Sequence, residues 1–146
     1  MIAAEKKLIP PEILKGSVLV HLAAAYYSVG KQLQQKTQCS QTRGFIMSTL
    51  RGGVALNQNQ VATLLGFDRT VVHRAIKTMI QEGLASEKRA QSGRALLVRL
   101  TAKGNKYRER LIKERRAADE KLLRMLLPVE IATLLRLLKA IAEVKF

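Results

Sequence analysis

The sequence predicts a mainly α fold of the α+β type, in which a helix-turn-helix and a β-hairpin form a core flanked by N- and C-terminal helices. Three observations predict it. Residues 57–83 contain two short apolar-periodic helical segments separated by a glycine. Residues 84–100 change to strand-like patterning around central turn residues. Residues 11–36 and 105–146 are helical in composition.

The N-terminal helix is expected to begin after a short arm. Pro10 and Pro11 mark the boundary, and the helix should run from Glu12 to about Lys36. Its middle, residues 18–27, is apolar nearly all the way round, so it must be covered on more than one side. Because a chain of this size has few elements to cover it, the pattern favours a second copy of the chain.

A short second helix should follow a loop at residues 37–40. Ser40 is placed as its N-cap, and the helix should occupy residues 41–50. The side chains expected to face inward are Phe45, Ile46, Thr49 and Leu50. Two glycines at 52–53 end the helix, and residues 54–56 are expected to add a small third strand to the hairpin.

The helix-turn-helix can be read from its caps. Asn57 is a good N-cap, and Gln60, three residues later, completes a capping box. Gly66 ends this helix, and Asp68 caps the next one, where its negative charge also suits a helix N-terminus. The spacing therefore predicts two helices joined by a tight turn.

The second of these helices has one apolar and one basic face. The apolar face comprises Val72, Ala75, Ile76, Met79 and Ile80. Gly83 is placed as a left-handed C′ residue, and Leu84 is placed to fold back onto the last turn. The other face carries Arg69, Thr70, His73, Arg74 and Lys77. In a helix-turn-helix such a face enters the DNA major groove; the alternative is a solvated basic face.

A basic hairpin follows directly. Residues 84–89 and 94–100 are the predicted strands, and Gln91-Ser92-Gly93 is the predicted tip. A hairpin in this position is a wing, so the core is a predicted winged helix. Arg89 and Arg94 flank the tip, where an arginine can enter the minor groove; a surface hairpin with solvated arginines is the alternative.

Two helices are expected after the wing. Thr101 caps a long helix that should reach about Leu127 and is strongly basic in its first half. Pro128 then suits the start of a last helix. The last helix has an apolar face broader than one core-facing stripe requires, so it is interpreted as part of a dimer interface. An all-intramolecular bundle is the alternative.

A resemblance to the MarR family of bacterial transcription regulators rests on two segments, VATLLGFDRTVVHRAIKTMIQEGL (61–84) and RALLVRLTAKG (94–104). Arg94 and the run Leu100-Thr101-x-x-Gly104 stand at the family's spacing, and the chain has the family's length. Two positions depart from it. Ser92 stands where the family usually has an acidic residue that pairs with the wing arginine. His73 stands where a small hydroxyl residue is frequent.

The resemblance implies one MarR-like domain over residues 1–146. Its DNA-binding part would be residues 41–104, and residues 11–36 with 105–146 would form a helical dimerisation part. The implied partners are a second copy of the chain, double-stranded DNA carrying a pseudo-palindromic operator, and a small anionic or aromatic effector that releases a repressor. The side chains that we expect at the effector site are His21, Tyr26, Tyr27 and Arg43.

DNA roles follow from the helix-turn-helix pattern together with the resemblance. Base and near-base contacts are expected from Arg69, Thr70, His73 and Arg74. Phosphate contacts are expected from Lys77, Lys88, Arg89 and the basic start of the long helix. Arg94 is the expected minor-groove residue.

Composition independently favours a polyanionic partner. The formal net charge is +15 over 146 residues, which argues for nucleic acid first and an anionic membrane surface second. Two further interpretations stay open: a non-specific architectural nucleic-acid binder, and a winged-helix module that binds protein or RNA. No apolar segment has the length and composition of a signal peptide or membrane span, so we expect a cytoplasmic protein without a membrane partner.

Enzymatic chemistry is not indicated. The sequence has no phosphate-binding glycine loop, no G-x-S-x-G and no H-E-x-x-H motif. Two histidines and one cysteine do not form a local zinc motif, so neither a metal nor a cofactor is expected. Cys39 lies between polar residues with Lys36 and Arg43 nearby. It is interpreted as a surface cysteine, with oxidant sensing as the alternative.

Overall fold

The computed structural model describes residues 16–91 and 93–145, so the predicted N-terminal arm and wing residue Ser92 lie outside the described residues. The described part is mainly helical with a small antiparallel sheet. Its elements are α1 (Val18–Thr37), α2 (Gln41–Thr49), α3 (Gln58–Leu65), α4 (Arg69–Gln81), β1 (Ala85–Arg89), β2 (Leu96–Leu100), α5 (Ala102–Leu123) and α6 (Pro128–Ala142). This order confirms the predicted fold class.

The predicted start of the N-terminal helix, Glu12, lies outside the described residues, and α1 ends at Thr37, one residue beyond its predicted end. Ser17 is the N-cap, and its hydroxyl accepts a hydrogen bond from the Val20 amide at 3.4 Å. At the other end Thr37 still belongs to the helix, and Gln38 closes it in a left-handed conformation with φ 54°. The predicted loop at 37–40 is therefore shortened by one residue, since Gln38 rather than Thr37 leaves the helix.

The inward face of α2 is only partly as predicted. Ile46 and Leu50 are fully buried, and Ser40 caps the helix by accepting from the Arg43 amide. Phe45, however, is 37% exposed, whereas Met47, which was not predicted to face inward, is fully buried. The expectation for Phe45 was wrong because, at 100° per residue, Phe45 lies at least about 100° round the helix from the buried residues Ile46, Met47 and Leu50.

The predicted third strand is reduced to one bridge. Leu56 and Val98 exchange two backbone hydrogen bonds of 3.1 and 2.8 Å, with no further pairing at residues 54–55. A short 3-10 turn, Arg51–Gly53, precedes this point, and Gly52 has φ 64°. Leu56 is therefore the one residue of this segment that pairs with the sheet, and it is followed directly by Asn57, the N-cap of α3.

The core of the helix-turn-helix lies between α2, α3, α4 and the sheet. Its fully buried side chains are Ile46, Met47, Leu50, Val61, Val72, Ile76, Met79 and Val98. Three of these belong to α4, which confirms the apolar face predicted for that helix. The opposite face of α4 is consequently turned to solvent.

The chain divides into two compact units, one up to Arg108 and one from Glu109 onward. In the second unit α5 ends at Leu123, four residues before the predicted end, because a turn precedes Pro128. Pro128 then starts α6 as predicted. The large apolar residues of α6 that remain exposed are Val129, Leu134, Leu135, Leu137 and Leu138. Within residues 16–91 and 93–145, no helix is long and apolar enough to span a membrane.

Candidate nucleic-acid interface

The turn between α3 and α4 has the chemistry that the sequence indicates. The capping box of Asn57 and Gln60 is formed in both directions, each hydrogen bond being 2.9 Å. Gly66 closes α3 with φ 64°, a backbone conformation in the left-handed region that glycine adopts without strain. The Phe67 amide then donates to the Ala62 carbonyl at 3.1 Å, which completes the turn into α4.

Asp68 organises the N-terminus of α4. Its Oδ1 accepts hydrogen bonds from the amides of Thr70, at 2.7 Å, and Val71, at 3.3 Å. The Thr70 amide is the main reason that the pKa of Asp68 lies below its ordinary value of 3.8. The Thr70 hydroxyl, the Val71 amide and the charge of Arg74 lower it further. The first turn of α4 is thus held in place at the end that a major groove would receive.

The predicted reading face of α4 is exposed along its whole length. The exposed residues of this face are Arg69, Thr70, His73, Arg74 and Lys77. At 100° per residue they occupy an arc of about 140°, which borders the buried stripe of Val72, Ile76 and Met79. Val71, which the sequence interpretation did not select, is also 43% exposed beside them. An exposed apolar residue on such a face has the chemistry to contact a thymine methyl group.

Three side chains connect the reading face to the wing. Gln58, the first residue of α3, donates from Nε2 to Oε1 of Glu87 on β1 at 2.6 Å. The Oε1 atom of Gln58 lies 2.9 Å from Nδ1 of His73 on α4. Sequence reasoning did not identify Gln58 or Glu87, because residues 58, 73 and 87 meet only in the folded chain.

The two basic residues of β1 point in opposite directions. Pairing of Glu87 with Val98 and of Lys88 with Leu97 sets the register. Since side chains alternate along a strand, Arg89 shares the face of Glu87, whereas Lys88 lies on the other face. Arg99, paired with Ser86, joins Lys88 on that other face. Alternation within the predicted strand would have identified Arg99, which was missed.

The wing tip is longer than predicted. β2 begins at Leu96 rather than at Arg94, and the Ala90 amide donates to the Ala95 carbonyl at 2.9 Å to close the hairpin. Arg94 is therefore a tip residue, fully outside the strand and exposed. The Arg89 side chain, at the end of β1, is exposed as well.

The exit from the wing is fastened to the C-terminus of α4. Gly83 has φ 71° and Leu84 donates to the Met79 carbonyl at 2.8 Å, which confirms the predicted C-cap. Thr101 then donates from its amide to the Leu84 carbonyl at 3.1 Å and from its hydroxyl to the Gly83 carbonyl at 2.6 Å. A Cβ at Gly104 would lie 1.9 Å from the Leu84 oxygen, so this close approach requires glycine.

The four residues expected at an effector site do not line one cavity. A groove of about 550 Å³ lies between α1 and the start of α2, and of the four only Tyr27 lines it. The neighbouring lining residues are Lys31, Gln34, Gln38 and Gln41. Tyr26 packs edge-on against Tyr27 with ring centroids 5.7 Å apart, and His21 Nδ1 contacts the Ser17 carbonyl at 2.8 Å.

Arg43, the fourth of these residues, is held elsewhere. Its guanidinium makes two hydrogen bonds to the Glu82 carboxylate and lies 5.9 Å from the ring centroid of Tyr107. Its side chain is 15% exposed. An effector that binds Arg43 would therefore have to displace the Glu82 carboxylate from this ion pair.

Cys39 is not a surface residue. Its exposed fraction is 5%, its amide donates to the Thr37 hydroxyl at 3.3 Å, and Sγ lies 3.4 Å from the Ser40 carbonyl. The surface interpretation was wrong because the turn after α1 folds this short side chain inward. Across the two described ranges, no group of three or more His, Cys, Asp or Glu residues is placed to hold a metal ion.

No protein-family model matches the chain, and no curated protein matches its sequence. Solved structures do share its fold. The transcriptional repressor CouR, bound to a 23-mer DNA duplex, is 23% identical with a TM-score of 0.81, and the match covers 90% of this chain and 96% of CouR. The PcaV transcriptional regulator from Streptomyces coelicolor, in complex with its natural ligand, is 23% identical with a TM-score of 0.76 over 89% of this chain and 94% of PcaV.

A MarR mutant from E. coli, complexed with operator DNA, is 17% identical with a TM-score of 0.77 and coverages of 90% and 99%. These likenesses extend over nearly the whole of each chain. They confirm the MarR-type winged-helix fold that the sequence predicted.

Proposed function

We propose, on the basis of this MarR-type winged-helix fold, that the chain is a sequence-specific DNA-binding transcription regulator acting as a homodimer. The observation that carries the proposal is the exposed basic face of α4. That face stands beside a basic wing in a protein of net charge +15. A rigid helix with a capped N-terminus and side chains able to read base edges is what major-groove recognition requires.

In this proposal α4 enters the major groove. Arg69, Thr70, His73 and Arg74, in its first two turns, contact bases, and Lys77 contacts a phosphate. Arg94 at the wing tip enters the minor groove, where the potential is most negative. These roles divide the interface into contacts that specify sequence and contacts that only position the protein.

The two phosphate contacts proposed for β1, Lys88 and Arg89, lie on opposite faces of the wing. Arg89 lies on the sheet face of Glu87, which is linked through Gln58 to the reading helix. Lys88 lies on the opposite face with Arg99. Arg89 is thus the better placed of the two to contact the DNA that α4 reads, and Lys88 with Arg99 would contact a different stretch of backbone.

Homodimerisation is supported by the apolar residues that α6 leaves uncovered. Val129 is 68% exposed and Leu135 is 54% exposed, and further leucines lie beside them. Monomeric proteins rarely leave such a contiguous apolar surface exposed. In a twofold dimer the two copies of α4 would contact two half-sites about one helical turn of DNA apart, which is why we expect a pseudo-palindromic operator.

Release of a repressor by a small anionic or aromatic effector is the finer part of the proposal. The groove beside Tyr27 offers an aromatic ring, glutamine amides and the Lys31 ammonium group. These groups suit an aromatic carboxylate. The chain is proposed to act by binding alone, with no catalytic step.

Selection from a pool of random duplexes by the full-length protein tests the proposal. We expect enrichment of an inverted repeat with half-sites about 10 base pairs apart. A non-specific architectural binder would enrich no sequence and would show only a steep salt dependence, near −0.9 per neutralised phosphate. Failure to bind any duplex, with retained binding to RNA or protein, would instead support a winged-helix module that binds RNA or protein.

A further inference from the structure

The chain of side chains Glu87–Gln58–His73 has a defined hydrogen-bond direction. A carboxylate oxygen only accepts, so the Gln58 atom that lies 2.6 Å from Glu87 Oε1 must be the amide nitrogen. The Gln58 oxygen is then the atom that faces His73. Because this oxygen also only accepts, His73 Nδ1 must carry a proton to complete the 2.9 Å contact.

In the neutral imidazole, the role of the second ring nitrogen of His73 is thereby also determined. A neutral imidazole has one donor and one acceptor nitrogen, so protonation at Nδ1 makes Nε2 an acceptor. Among the residues that the structure describes, the protein engages His73 through Nδ1. The ring is exposed on the reading face, between Arg69 and Lys77 along α4. Nε2 is therefore available to an external partner.

We propose that Glu87, acting through Gln58, sets His73 as a hydrogen-bond acceptor and thereby determines which base it reads. An acceptor pairs in the major groove with the amino group of adenine or cytosine, and not with the keto oxygens of guanine or thymine. His73 differs in this from Arg69 and Arg74, which only donate. Gln58 and Glu87 are positioning residues, since neither needs to touch DNA. The inference rests on the proposed function for its DNA part only.

The tautomer is measured without DNA. The chain has two histidines, His21 and His73, so a His21→Gln protein leaves one imidazole to observe. Long-range proton–nitrogen correlation spectra of this ¹⁵N-labelled protein, recorded at alkaline pH, distinguish the two neutral tautomers. We expect the pattern of a proton on Nδ1.

Substitution of the positioning residues should change that pattern. Glu87→Ala frees the Gln58 amide to turn, and Gln58→Ala removes the acceptor, so both should move His73 toward a proton on Nε2. Glu120→Ala, which removes an exposed carboxylate on α5, is the matched control and should leave the spectrum unchanged. A proton on Nε2 in the parent protein, or an unchanged spectrum in both folded variants, would overturn the proposal.

The DNA part is tested on the enriched duplex. Each half-site should contain one position at which adenine or cytosine is preferred. Glu87→Ala should reduce that preference by roughly threefold to tenfold, because this is the contribution expected of one hydrogen bond. Glu120→Ala should retain the preference while sharing the same change of charge. A specific duplex on which Glu87→Ala changes no base preference overturns the proposed readout. If no specific duplex exists, the proposed function fails, and the spectra alone decide the tautomer.

Discussion

Arg43 on α2 clamps Glu82, the C-cap residue of α4, through two hydrogen bonds of 3.2 and 2.5 Å. Lys103 also donates a hydrogen bond to the backbone carbonyl of Glu82 at 2.8 Å. The Arg43 guanidinium also lies 5.9 Å from the ring centroid of Tyr107. The C-terminal end of α4 is thus fixed to two neighbouring elements, α2 and α5.

Breaking this pair should destabilise the protein moderately. Glu82→Gln is expected to lower the free energy of unfolding by about 0.5–1.5 kcal/mol, a range kept small because the Glu82 side chain is 44% exposed and partly screened. Urea unfolding measures it, and Glu120→Gln is the control. In a double-mutant cycle with Arg43→Gln the two effects should not add; full additivity would mean that the pair contributes nothing.

Gly104→Ala should be among the most damaging single-methyl substitutions in the chain. The added carbon would lie 1.9 Å from the Leu84 backbone oxygen, which cannot move without breaking the wing exit. We expect a loss of about 1–3 kcal/mol in unfolding free energy, as for other overpacked sites. Gly16→Ala, where nothing lies within 4 Å, is the control. Equal thermal midpoints for the two variants would contradict the described packing.

The cap at Asp68 should make stability depend on pH. Its folded-state pKa lies below the ordinary value of 3.8, so its ionised form stabilises the fold at neutral pH. That contribution is lost as the pH falls through the folded-state pKa. Asp68→Ala should therefore be less stable than the parent at pH 7, and the gap should narrow below pH 3.8. A gap that stays constant down to pH 2.5 would argue against a charged cap.

Arg74 should contribute to specificity, and not only to attraction. Arg74→Ala is expected to weaken binding to the enriched duplex by about 1–3 kcal/mol and to relax the preference at one position of each half-site. Arg124→Ala removes an equal charge from an exposed residue outside α4 and should change all duplexes alike. If Arg74→Ala behaves like Arg124→Ala, the assignment of the reading face is wrong.

The features that local chemistry controls were predictable from the sequence. Asn57, Asp68 and Gly83 lie at helix ends whose free amides and carbonyls need partners within a few residues, so their roles can be read from neighbouring letters. The apolar face of α4 was predictable for a similar reason, since helical periodicity is a local property. The winged core was predicted from the order of these elements along the chain.

The features that depend on tertiary contacts were not predictable. Gln58 meets Glu87 and His73 across 29 and 15 positions of sequence, and no local pattern encodes that meeting. Phe45 and Cys39 were misjudged because their burial depends on which neighbours close over them. Strand alternation alone puts Lys88 and Arg89 on opposite faces of the sheet, whereas the strand register was needed to place Arg99 on the face of Lys88.

The most direct test of the central claim compares two affinities. The duplex most enriched in selection and a scrambled duplex of the same composition are titrated with the full-length protein at one near-physiological salt concentration. A site-specific regulator should separate them by at least about a thousandfold. Equal affinities would contradict the claim that α4 reads sequence, and would leave the net charge of +15 as the whole basis of binding.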